Sequence, residues 1–211
     1  DYSLAHFDND YYTDLKKNKE NLILTSGRLG MDQKNNEMLL EAIAKIDLRD
    51  WKIVLMGKIE NDRFNKYLKN YFEKYPEMIS RIIFTGLLSD RQTIENYFKR
   101  SKIFCLTSRW ESFGLVLIEA MYFGNYVITT SIESANDITD KGKHGKVIES
   151  EDIQGLAKHL ELLINEPSIL ENFEMDSVIK HVQQNFLWSN IVRLLNDVLI
   201  YRLETVNHLN G

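Results

Sequence analysis

Glu111 and Glu119 stand eight positions apart in Ser108-Arg-Trp-Glu-Ser-Phe-Gly-Leu-Val-Leu-Ile-Glu-Ala-Met-Tyr-Phe-Gly124. From Phe113 to Met121 every position except Glu119 is apolar or small, the pattern of a helix buried all round. A carboxylate inside such a helix is costly unless something pairs with it. Glu119 therefore requires a partner, either a Lys or Arg beside a capped structural helix or a ligand with hydroxyls to donate. Glu111 falls in the turn that leads into the helix and projects toward whatever binds there. Ser112, Phe113, Gly114 and Leu115 are expected to form the first helical turn, whose free N–H groups and dipole suit a phosphate. The spacing alone leaves the structural and the ligand-binding readings open.

A second unit, Thr25-Ser-Gly-Arg-Leu-Gly-Met-Asp-Gln-Lys34, also follows an apolar run and precedes a helical pattern. Arg28 supplies a planar fork and Lys34 a point charge, the two common ways to hold a diphosphate. Placed beside a helix N-terminus, such cations stabilise negative charge as it develops on a departing group. The alternative is a pair of exposed basic residues in a loop, which would contribute little.

The elements that must position these residues alternate regularly. Strands are expected near 22–26, 53–56, 81–85, 103–107, 126–129 and 146–148, with amphipathic helical segments between them. Met38, Leu39, Ala42, Ile43 and Ile46 make one apolar stripe. Ile94, Tyr97 and Phe98 make another, after Ser89 or Asp90 as N-cap. Strands apolar on both faces and separated by helices imply a parallel sheet covered on both sides, a Rossmann-like three-layer α/β domain of about six strands with C-terminal helices. Gly27, Gly57, Gly86, Ser108 and Thr130 each follow an apolar run directly. Small residues there open the carboxyl ends of the strands, where ligands of such sheets bind. Three helical segments follow, expected over 152–165, 167–184 and 188–206, with Asp152 as an N-cap and Pro167 in a first turn.

Composition bounds the partners. The 211 residues carry 44% hydrophobic and 27% charged side chains with a net charge of −5. That is an ordinary globular balance, and it argues against a nucleic-acid-coating surface. Lys16-Lys17-Asn-Lys19 reads as a solvated loop. No apolar run is long enough to span a bilayer. Cys105, the one cysteine, reads as a buried strand residue, so no disulfide framework is expected and a reducing compartment fits. His6, His144, His159, His181 and His208 are scattered without ligand spacing, and no metal site is expected from them. The chain opens at Asp1 rather than Met, and a fragment of a longer protein is expected.

Gly27-Arg-Leu with Lys34, Phe84-Thr-Gly86 and Glu111-Ser-Phe-Gly-Leu with Glu119-Ala-Met and Gly124 together resemble the donor-binding half of GT-B glycosyltransferases. The resemblance is greatest to the retaining family 4, marked by Glu-x7-Glu, and covers about residues 20–165. It implies transfer of a sugar from a nucleotide-sugar, such as a UDP- or GDP-sugar, to a glycan or lipid-linked acceptor in polysaccharide biosynthesis. Retention of configuration, no bound metal and no cofactor beyond the donor substrate are implied with it. Arg28 and Lys34 would hold the diphosphate and Glu111 the sugar hydroxyls. Backbone at Ser112, Phe113, Gly114 and Leu115 would bind sugar and phosphate oxygens, with Gly27 giving close approach. Glu119 would take the ribose, and Leu87 and Leu88 would flank the base.

The sequence departs from the family pattern at Tyr126, where Pro is usual, and at Ser134-Ala-Asn-Asp137, which replaces a Gly-Gly-x-x-Glu loop. The resemblance divides the chain into a hinge remnant over 1–20, a sugar-nucleotide domain over 21–186 and a final helix over 187–211. That helix would pack against an N-terminal acceptor domain absent from this chain, without which turnover is not expected. A cytoplasmic location is implied, at the inner face of the membrane if the full-length protein associates with it peripherally. A non-catalytic binding or assembly module and a GT-B epimerase are the alternatives, with a phosphorylase less favoured because no Lys is placed for a pyridoxal Schiff base.

Overall fold

The apolar runs of the sequence form a single parallel sheet in the computed structural model, which describes residues 9–193 and 195–197. Its strands are β1 (Glu20–Ser26), β2 (Lys52–Met56), β3 (Ile82–Gly86), β4 (Ser101–Leu106), β5 (Tyr126–Thr130) and β6 (Gly145–Ile148). They lie in the order β3-β2-β1-β4-β5-β6. Each matches an expected run to within about two residues. The helices are α1 (Asn9–Lys17), α2 (Asn36–Ile43), α3 (Asp62–Lys74), α4 (Arg91–Arg100), α5 (Leu115–Tyr122), α6 (Ala135–Ile138), α7 (Ile153–Asn165), α8 (Pro167–Glu171) and α9 (Met175–Phe186).

Alternation along the strands explains the three layers. Ile23, Ile53, Leu55, Ile103 and Cys105 face one side and meet Met38–Ile43 of α2, Phe64 and Leu68 of α3, and Leu156–Ile164 of α7. Leu22, Leu24, Val54, Phe104 and Leu106 face the other and meet Phe98, Leu117, Ala120, Met121, Val178 and Val182. With both faces covered, the strands carry no polar side. Cys105 is fully buried, and burial pushes its thiol pKa up, so it is an inert core residue.

The caps follow the sequence. The Asp90 carboxylate accepts from Thr93 N–H at 2.8 Å and Asp152 from Gly155 N–H at 2.8 Å. The expected helix over 167–184 is broken instead. It ends at Glu171 and restarts at Met175, because Met175 turns in against Gly124, where an added Cβ would lie 2.5 Å from its side chain. Residues 188–193 and 195–197 are helical, and the expected helix beyond 197 and the hinge stretch over 1–8 lie outside the described residues.

The basic run is not a solvated loop. Lys16 and Lys17 close α1, and Lys19 turns its ammonium inward to donate to the carbonyls of Ser101 (2.8 Å), Phe123 (2.7 Å) and Phe98 (3.2 Å). Burial lowers its pKa, and the three charge-assisted bonds replace the water it gives up.

Candidate functional site: a crevice at the sheet's switch point

From β1 the chain winds outward through β2 and β3, then crosses back and winds the other way through β4, β5 and β6. The loops leaving β1 and β4 therefore diverge and open a crevice at their carboxyl ends, the usual ligand position in such a sheet.

One wall is the β1 loop. Gly57 at the end of β2 lets it pass close, since a Cβ there would stand 1.8 Å from the Gly27 carbonyl oxygen. The loop closes in a 3-10 turn over Asp32–Lys34. Asn61 and Arg63 donate to the Gly30 carbonyl at 2.8 and 3.1 Å, and Gly30 N–H donates to Asn36 Oδ1 at 2.9 Å. The other wall is the β4 loop, and several bonds join it to the first. Thr107 Oγ1 donates to Asn35 O at 2.9 Å, Arg109 N–H to Gln33 O at 2.8 Å, and Gln33 Nε2 to Trp110 O at 2.9 Å. The Arg109 guanidinium reaches Asp32 O at 2.5 Å and Glu151 Oε1 at 2.7 Å.

Across this junction Lys34 Nζ meets Glu111 Oε1 at 2.6 Å, with the two side chains only 16% and 11% exposed. Ser108 Oγ donates to the same oxygen at 2.6 Å, and Gln33 Nε2 lies 3.4 Å from Oε2. Two residues drawn from separate motifs, 77 positions apart, are thus in direct contact. Arg28 is exposed and, among the described residues, takes part in no ion pair. It lines a cavity of about 240 Å³ with Gly27, Gly57, Lys58, Leu87 and Leu88. Arg28 of the expected diphosphate contacts thus shares a cavity with Leu87 and Leu88 expected at the base, while Lys34 is not among the residues lining it. Leu87 is 76% exposed there, a large apolar surface open to a planar group.

The β4–α5 turn differs from expectation. The helix begins at Leu115, not Ser112, because Gly114 adopts φ 78° and acts as the N-cap. Ser112 and Phe113 sit in a bend before it, and their amides belong to the turn. Leu117 N–H is already taken by Gly114 O at 2.8 Å, so only the amides ahead of it lack a partner within the helix. Ser134, in the departing loop, donates Oγ to Phe113 O at 2.6 Å and so supports that bend.

Glu119 lies half-buried on α5, and no hydrogen bond or ion pair reaches its carboxylate among the described residues. Burial raises its pKa; Arg91 opposes this and Glu95 adds to it. Arg91 itself pairs with Glu95 at 2.8 Å. Arg91 therefore acts on Glu119 through space, and no direct ion pair with it forms among the described residues. Glu119 faces α4, the same helix that turns Ile94 into the cavity with Arg28.

Sequence reasoning passed over Gln33, Lys58, Arg109 and Glu151. Gln33 and Arg109 flank the chosen residues directly. Glu151 enters only because the β6–α7 loop folds back with a left-handed residue at φ 64°. The histidines are not all scattered: the rings of His144 and His181 lie with centroids 4.7 Å apart, tilted by 38°, outside the crevice.

The chain is 29% identical over 198 residues to an undecaprenol-pyrophosphate-linked glycan α-1,4-N-acetyl-D-galactosaminyltransferase of Campylobacter jejuni, covering 87% of this chain and 51% of that protein. It is 27% identical over 175 residues to the amylovoran biosynthesis glycosyltransferase AmsD of Erwinia amylovora, covering 81% of this chain and 45% of that one. The chain thus spans about half the length, or less, of these curated relatives. Among solved structures, HepE of Anabaena in complex with UDP and glucose superposes with a TM-score of 0.74 at 20% identity, over 90% of this chain and 52% of that one. This likeness shows the fold, a Rossmann-like half of a GT-B architecture. The profile of the family described as glycosyl transferases group 1 matches residues 10–177, and the chain belongs to that family.

Proposed function

We propose that this chain is the donor-binding half of a retaining glycosyltransferase that moves a sugar from a nucleotide-sugar to a saccharide or lipid-linked acceptor in polysaccharide biosynthesis. The observation that carries the reading is the Lys34–Glu111 contact at 2.6 Å beside the cavity holding Arg28, Leu87 and Leu88. Folding alone does not call for a cation and a carboxylate from separate loops at a sheet's switch point.

In this reading the base lies against Leu87 and Leu88 and the ribose diol donates to Glu119, whose carboxylate has no other hydrogen-bond donor among the described residues. The diphosphate spans Arg28, Lys34 and the first amides of α5, and Glu111 takes the sugar hydroxyls once the diphosphate draws Lys34 away. Departure of the nucleoside diphosphate builds negative charge between those cations, where the fixed groups stabilise it. The acceptor attacks from the same face.

Acceptor contacts come from an N-terminal half, seated against the exposed rim of Trp110 and Leu115 and the helical face bearing Trp188, Val192 and Leu195. No helix among the described residues is long and apolar enough to cross a membrane. A lipid-linked acceptor, as named for the Campylobacter relative, would then be met from the cytoplasmic face through peripheral association.

Ligand-observed NMR with uridine, guanosine, adenosine and cytidine diphosphates and their sugar conjugates tests the reading. Selective binding of one nucleotide, lost in the Arg28→Ala/Lys34→Ala variant, is expected. Binding unchanged by that double substitution would sink the assignment.

A further inference from the structure

The two neighbouring histidines belong to a second cluster. One ligand atom each from Asp140, His144 and His181 lies within 4.8 Å of the others. Asp140 and His144 sit in the loop between α6 and β6, His181 on α9, and all three line a cavity of about 910 Å³.

Each imidazole is set up to offer a lone pair. His181 Nε2 lies 3.1 Å from the carbonyl oxygen of Ile138. A carbonyl only accepts, so Nε2 carries the proton and Nδ1 the lone pair. Metal-bound histidines are commonly held this way, with the second ring nitrogen donating to a backbone carbonyl. Nδ1 now accepts from the exposed Asn185 side-chain amide at 3.1 Å, which also donates to the His181 carbonyl at 2.8 Å and keeps that bond if a metal takes Nδ1. The His144 ring is buried at 4% exposure, yet no hydrogen bond reaches it among the described residues. Asp140 is exposed, with a left-handed backbone at φ 49°, and its carboxylate forms an ion pair with Lys143 Nζ at 3.7 Å.

We propose that Asp140, His144 and His181 form a binding site for one divalent transition metal ion of the Zn²⁺ class. Two imidazoles and a carboxylate are a borderline donor set that suits this class over Mg²⁺ or Ca²⁺, and water completes a four-coordinate shell. Donors bound at zinc distances stand about 3.3 Å apart, so rotation of Asp140 and of the His144 ring draws the present cluster in. The ion would fasten the α6–β6 loop to α9, a role independent of sugar transfer.

Untagged protein, stripped with chelator and dialysed, is titrated with ZnCl₂ by calorimetry and with CoCl₂ by visible absorption. One equivalent of Zn²⁺ is expected to bind, with cobalt d–d bands of four-coordinate intensity and a rise in melting temperature. Asp140→Ala, an exposed change, should weaken binding at least about tenfold, and His181→Gln, whose amide still reaches Ile138 O, at least about a hundredfold. His159→Ala, at a histidine elsewhere in the fold, should leave it unchanged. Absence of saturable binding, or binding equal to wild type in both Asp140→Ala and His181→Gln, overturns the site even if His144→Ala fails to fold.

Discussion

Lys34 and Glu111 satisfy each other in a shielded contact, so neither can be removed without stranding the other. Lys34→Ala leaves Glu111 with Ser108 and Gln33 alone, and a loss of about 2 kcal/mol is expected, between the values for exposed and fully buried pairs. Urea unfolding of Lys34→Ala, Glu111→Gln and the double Lys34→Ala/Glu111→Gln measures it, and the double should lose less than the sum of the singles. Glu119 has the opposite sign. Its pKa is raised in the fold, so the native state holds its proton to higher pH than the unfolded chain, and stability falls as pH rises through that window. Glu119→Gln should therefore raise the melting temperature at pH 7 relative to wild type, with the gap closing as pH drops through the ordinary glutamate range. The same variant should lose nucleotide affinity. A group that weakens the fold while improving the site is expected where binding, not folding, selects the residue. His159, hydrogen-bonded to the Tyr126 hydroxyl at 3.1 Å, is held neutral by burial with its pKa pushed down to about 4. It contributes stability that is present above about pH 6.5 and lost as pH falls toward 4. Acid unfolding of His159→Phe against wild type should show a shallower decline.

At the scale of elements, the crevice depends on two backbones that pass each other at Gly27 and Gly57. Gly57→Ala places a methyl at 1.8 Å from a carbonyl oxygen, and a cost of about 3 kcal/mol is expected; a melting temperature within a degree of wild type would refute this. Gly114→Ala should cost about 1–2 kcal/mol, from its left-handed backbone and from the Ile132 contact at 3.2 Å. The strands were legible because, apolar on both faces, they read as short continuous apolar runs, a pattern that depends on nothing distant. Asp90 and Asp152 were legible as caps because capping is local. The start of α5 was not, since a left-handed Gly114 delays the helix by three residues without changing its apolar pattern. Lys19 was misread because its three carbonyl partners come from the end of α4, the start of β4 and the residue after α5, and no local pattern records them.

On the scale of the molecule, the same division holds for the site. Each motif could be read from its own residues, but the contact of Lys34 with Glu111 arises from the strand order, and the meeting of His144 with His181 from the packing of α9 against α5. The two-walled reaction proposed above predicts a chain that binds nucleotide but does not turn over alone, since proximity catalysis needs both reactants held. A radiolabelled-donor transfer assay on this chain, with and without its N-terminal half, checks that, and equal rates would overturn the division of labour.

In the proposed reading, the Lys34–Glu111 pair also governs how a donor arrives. With the Lys34 cation neutralised from within, the crevice projects little positive field, and the exposed Arg28 and Lys58 left at the cavity to attract an anionic diphosphate are partly offset by Glu60 on the same lining. Encounter should then be slow for so anionic a ligand and only mildly sensitive to ionic strength. Glu111→Gln uncovers Lys34, so stopped-flow association of the nucleoside diphosphate should become faster and more salt-dependent in that variant.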